Sequence, residues 1–60
     1  MNIYTKMIAR FLKVDFDTAL KVQNFIDEHD LIDWSEASEG LIRRTAILAY
    51  DQWRVTSWAS

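Results

Sequence analysis

The stretch Asp27-Glu28-His29-Asp30, with Asp33 three residues further on, gathers carboxylate and imidazole donors of the kind that hold a cation. Hard cations need several oxygens converging from one loop, often with a glycine that permits the sharp turn. No glycine lies there, so a solvated acidic helix end is expected, with His29 a favourable charge against the helix dipole. Nucleophilic catalysis needs a Ser or Thr beside a base and an orienting acid. Ser35, Ser38 and Thr45 are present, but His29 is the single histidine and cysteine is absent. An enzyme is therefore not expected, nor a metal or cofactor site. Arg43 and Arg44 beside Thr45 are the best phosphate candidates. The competing expectation pairs them with Glu36 and Glu39, since Glu39 precedes Arg43 by the four residues that suit a helical ion pair. Trp34, Trp53 and Trp58 are candidate interface anchors, because buried aromatics dominate interface energies. In so short a chain one or two of them are expected in the core.

The elements that must position these groups are helices. The chain has 60 residues, no proline and one glycine, Gly40, whereas folds built on tight hairpins need more turn residues. Ile3, Met7, Ile8, Phe11 and Leu12 fall at helical spacing, with Lys6, Arg10 and Lys13 turned away and Asn2 available to cap the start. Asp15 or Asp17 suits the N-terminus of a second helix, whose main stripe is Ala19, Val22, Phe25 and Ile26. Leu31 and Ile32 follow as a short apolar anchor. Asp33-Trp34-Ser35-Glu36 has the spacing of a capping box. Leu41, Ile42, Ala46, Ile47, Leu48, Tyr50 and Trp53 are broad enough to cover much of a third helix. The expectation is a single all-α domain, residues 1–60, with helices at about 2–13, 17–29 and 34–54. A break or kink is placed near 38–40, where Ser38 can cap a fresh start, and residues 55–60 are a tail without periodicity.

Within this frame Ile8 to Val22, IARFLKVDFDTALKV, has the buried grammar of two short helices joined by a tight turn. Ala9 is the small residue at the crossing, and Ile8, Leu12, Val14, Ala19 and Val22 are apolar where burial is required. Lys13 stands where left-handed geometry usually favours glycine. The stretch resembles helix-turn-helix regulators of the short excisionase and MerR-like type, and Glu39 to Thr45 resembles their wing. The resemblance implies a DNA-reading face made of Asp15, Phe16, Asp17, Leu20, Lys21 and Asn24. Base reading relies on Arg, Lys, Asn or Gln, with basic groups on phosphates. Two carboxylates and two large apolar groups are poor substitutes. Three outcomes stay open for Phe16 and Leu20: packing under the third helix, an exposed protein-binding pair, or DNA contact.

Charge points the same way. The net charge is −2, and nucleic-acid-binding domains are typically strongly basic. Residues 1–21 carry Lys6, Arg10, Lys13 and Lys21 against Asp15 and Asp17. Residues 22–39 carry Asp27, Glu28, Asp30, Asp33, Glu36 and Glu39 with no base, and residues 40–60 carry Arg43, Arg44 and Arg54 against Asp51. An acidic middle between basic ends suits protein complementarity more than a uniform field for phosphate. Half of the residues are hydrophobic, more than a domain of this size readily hides, so self-association is expected. No apolar run reaches the roughly 20 residues of a membrane span, and no signal-peptide pattern is present, so a cytoplasmic protein is expected.

The expected function is a non-enzymatic protein-interaction module that regulates or inhibits a larger protein, homodimerises and belongs to a phage or other mobile element. Phe16, Leu20, Trp34, Trp53 and Trp58 are its candidate contacts. The alternative is an excisionase-like DNA-binding regulator using Arg10, Lys13, Lys21, Arg43 and Arg44.

Overall fold

Three helices are found among the described residues: α1 (Ile3–Leu12), α2 (Phe16–Glu28) and α3 (Glu39–Ala59). The computed structural model describes residues 3–59, with side chains through Thr56. Asn2 and the Trp58 side chain, singled out from the sequence, lie outside the described residues. The fold is all-α, and no described helix is long and apolar enough to cross a membrane.

The α1–α2 connection is set by three backbone events. Lys13 adopts a left-handed conformation with φ 57°. The Val14 amide then donates to the Ala9 carbonyl at 3.1 Å, closing the end of α1 in a Schellman-type turn. Asp15, extended at φ −73° and ψ 168°, caps α2 through its side chain. The end of α2 repeats the device: Asp30 has φ 51° and the Leu31 amide donates to the Ile26 carbonyl at 3.1 Å. Left-handed geometry costs an ordinary residue about 1–2 kcal/mol, more than glycine loses through its freer unfolded chain. Lys13→Gly is accordingly expected to stabilise the fold by roughly 0.5–1 kcal/mol, seen as a higher urea midpoint with an unchanged slope.

The third segment departs from expectation in three places. Asp33 does not cap a helix. Its carboxylate accepts from the Ser35 amide at 3.1 Å and the Ser35 hydroxyl at 2.6 Å, and its carbonyl accepts from the Glu36 amide at 3.1 Å. These bonds close a local turn, so 34–38 are not helical. The helix starts at Glu39 because Ser38 accepts the Leu41 amide on its hydroxyl at 3.2 Å and the Ile42 amide on its carbonyl at 3.0 Å. Gly40 sits inside the first turn and breaks nothing. The segment from residue 55, expected as an aperiodic tail, continues the helix to Ala59. There Thr56 turns its hydroxyl back onto the Gln52 carbonyl at 2.9 Å, satisfying a β-branched residue within the helix.

Each helix packs against the other two. The centre is formed by Ile8, Ala19, Val22, Ile26, Ala46 and Ala49, all essentially inaccessible, with Ile42 nearly so. Three of these are alanines, which allow close approach of the helix axes. Ile3, assigned by spacing to the apolar stripe of α1, is instead 66% exposed. One polar pair lies within the core: the Thr5 hydroxyl of α1 donates to the Gln23 amide oxygen of α2. Both residues are buried. α3 spans roughly 31 Å at 1.5 Å per residue, matching the longest dimension of the molecule, 32 Å.

Candidate functional site

The α1–turn–α2 corner carries the most distinctive surface. An open groove of about 440 Å³ is lined by Lys6, Ala9, Arg10, Val14, Asp15 and Phe16. Ala9 and Val14 form its floor because the Schellman turn folds Val14 back towards the last turns of α1. Phe16, 46% exposed, forms one wall, and Leu20, 47% exposed, extends the apolar surface one turn further along α2. These two side chains therefore do not pack under α3. Lys6 and Arg10 stand on the α1 rim, and neither is in an ion pair within the described residues.

The opposite rim is acidic. Asp15 accepts the Thr18 amide at 3.2 Å. Hydrogen bonding from the Thr18 side chain, and then from its backbone, holds the Asp15 carboxyl below its ordinary range, so it stays charged at neutral pH. The sign follows from the lowered value: the cap's contribution is full above the ordinary carboxylate range and fades as pH falls through the folded-state value. Asp17 binds Lys21 at 3.2 Å across one helical turn. The one lysine on the face that the helix-turn-helix resemblance assigns to DNA is thus already engaged by a carboxylate.

The remaining candidates are dispersed. Arg43 and Arg44 are exposed on the first turns of α3, where the resemblance places a wing and the chain forms a helix instead. The ion pairs expected between these arginines and Glu36 or Glu39 are not made; Lys21–Asp17 is the ion pair found among the described residues. Lys13 is exposed in the turn.

Trp34 and Trp53 are half-buried and committed within the chain. The Trp34 indole N–H donates to Asp27 at 2.7 Å, and its ring lies 4.7 Å from that of Tyr4. Trp53 stacks at 6.0 Å on Tyr50, over which Arg54 sits at 5.5 Å. Both pack against the core and serve as its edge.

The acidic stretch is likewise occupied. Asp27 holds Trp34, Asp33 closes its turn, and His29 Nδ1 lies 3.0 Å from the Phe25 carbonyl with its ring stacked 4.1 Å from Phe25. Among the described residues no three such side chains converge as a metal site.

Sequence reasoning overlooked Lys6 as a rim residue and the Thr5–Gln23 pair. Thr5 lies three residues before Ile8, and Gln23 directly follows Val22, so a polar residue on the inner face of each helix was the available signal. Set against protein-family models, curated proteins and solved structures, the chain matches none.

Proposed function

We propose that this chain is a non-enzymatic protein-interaction module whose docking face is the α1–α2 corner. The observation that carries the reading is the half-exposed pair Phe16 and Leu20 beside a groove with an apolar floor and a rim bearing Lys6 and Arg10. Water gains nothing from such a surface, whereas a partner that covers it recovers roughly 1 kcal/mol for each half-exposed side chain. The chemistry that fits is an amphipathic segment with two apolar anchors one helical turn apart and acidic residues facing Lys6 and Arg10. Covering that face on a larger protein's segment is how so small a chain would regulate or inhibit it.

The rival reading, a DNA-binding regulator, draws support from the three-residue connection between α1 and α2, which suits the resemblance to helix-turn-helix regulators. Two features weigh against it. Asp15 and Asp17 sit at the end of α2 that would enter a groove lined by phosphates, and Lys21 is neutralised locally.

The two readings separate experimentally. A photoreactive residue at position 20 identifies the partner in cells, which is then purified and titrated with wild-type and Phe16→Asp chains. The expected result is a loss of affinity of about 100-fold with unchanged helical circular dichroism. Equal affinity for the two chains removes the corner as the docking face. Retention on DNA that falls about 1,000-fold between roughly 50 and 200 mM salt supports the rival reading instead.

A further inference from the structure

α3 carries a second apolar stripe that the fold does not use. Its inner face, Ile42, Ala46 and Ala49, packs on α1 and α2. Leu41, Leu48 and Val55 recur every seventh residue along a line about 120° around the helix from that face. They are 45%, 58% and 69% exposed. Helices that pack along one another repeat their contacts every seven residues, and this stripe supplies one apolar position in each repeat. The stripe recurs three times along a helix as long as the molecule itself, and no other element covers it among the described residues.

The flanks of the stripe decide what does. Arg44 and Asp51 lie on one side of it, and Thr45 and Gln52 lie on the other. Neither Arg44 nor Asp51 forms an ion pair within the described residues. Two copies of α3 packed antiparallel about a two-fold axis through Leu48 bring the same flank of each helix together. Leu41 then meets the partner's Val55, Leu48 meets its own counterpart, and Arg44 comes within reach of the partner's Asp51 twice over. A parallel pairing sets the charged flank against Thr45 and Gln52 and leaves both charges unsatisfied. The self-complementary arrangement is the closed, isologous geometry of most homodimers.

We infer that the Leu41–Leu48–Val55 face of α3 binds a second copy of this chain in an antiparallel helix pair, with Arg44 and Asp51 fixing the direction. This surface is separate from the α1–α2 corner, so each can be tested with the other intact.

The test is sedimentation equilibrium on the full chain from low micromolar to near-millimolar concentration. The wild type is expected to dimerise within this range. Leu48→Glu places two carboxylates together on the axis and is expected to weaken dimerisation by at least about 100-fold. Helical circular dichroism should be unchanged, because the side chain is exposed. Phe16→Asp should dimerise like the wild type.

Arg44→Asp is expected to weaken association several-fold, and Arg44→Asp combined with Asp51→Arg to restore it. Direction is read by oxidation, since the chain has no cysteine of its own. Leu48→Cys should cross-link to itself, because the two axial positions fall within the Cα separation that a disulfide spans. Val55→Cys alone should not, since antiparallel packing separates its two copies by roughly 21 Å along the helix. A mixture of Leu41→Cys and Val55→Cys chains should cross-link. A monomer throughout the range overturns the inference. So does dimerisation that survives Leu48→Glu, or self-cross-linking of Val55→Cys as fast as that of Leu48→Cys.

Discussion

Ile26→Ala is expected to leave the domain largely unfolded at 37 °C. Ile26 is 1% exposed, and with Ile8 and Val22 it is among the largest side chains wholly inside. Removing three carbons from a packed core costs about 2–5 kcal/mol, with the upper end reached where surrounding atoms cannot collapse into the gap. Its neighbours here include Ala19, Ala46 and Ala49, which have no longer side chain to swing into a cavity. At the usual 0.05–0.15 kcal/mol per residue, sixty residues hold roughly 3–9 kcal/mol in total. One substitution therefore consumes most of the stability. Thermal unfolding followed at 222 nm should show a midpoint lowered by well over 10 °C. A shift of only a few degrees would mean that the three helices are not held by this cluster.

The second large effect concerns the buried Thr5–Gln23 pair. Thr5→Val removes the donor and strands the Gln23 oxygen between α1 and α2, at a cost of about 1–3 kcal/mol. Gln23→Leu strands the Thr5 hydroxyl at a similar cost. Replacing both exchanges a hydrogen-bonded contact for an apolar one and should recover much of the loss, since removing both partners of a buried bond is often nearly neutral. Urea titrations of the four chains give the coupling directly. A coupling of at least about 1 kcal/mol is expected. Costs that add to within about 0.5 kcal/mol would show that the two residues do not depend on one another. The recovered double variant should also reveal what the pair contributes beyond stability. An apolar α1–α2 seam tolerates slippage by a turn, whereas a single donor and acceptor meet in one register.

Much of the architecture was written in local chemistry. Helical spacing of apolar residues placed all three helices, Ser38 announced the start of α3, and the glycine-favouring position at Lys13 does take up left-handed geometry. What escaped was decided by competition between local bonds. Asp33 has the spacing of a cap, but Ser35, two residues away, offers it an amide and a hydroxyl that close a turn first. The β-branched Val55 and Thr56 suggested a tail, yet Thr56 satisfies itself on Gln52 and the helix runs on. At the candidate site the sequence supplied Phe16 and Leu20 but not their exposure. Helical periodicity shows which residues share a face without showing which of two apolar faces the neighbouring helix chooses. On α3 this ambiguity is greatest, because two apolar stripes run along the same helix and only packing selects the one carrying alanines.

Those alanines have a consequence for the outside of the molecule. Where alanines line part of the helix contacts, the interior offers fewer large seats, and a chain half of whose residues are hydrophobic cannot house them all. Phe16, Leu20, Leu41 and Leu48 remain on the surface because the inside is narrow. The thin centre and the adhesive exterior are two aspects of one design. Widening the core by substituting larger residues for Ala46 or Ala49 would push the helices apart and would do nothing to draw those side chains in.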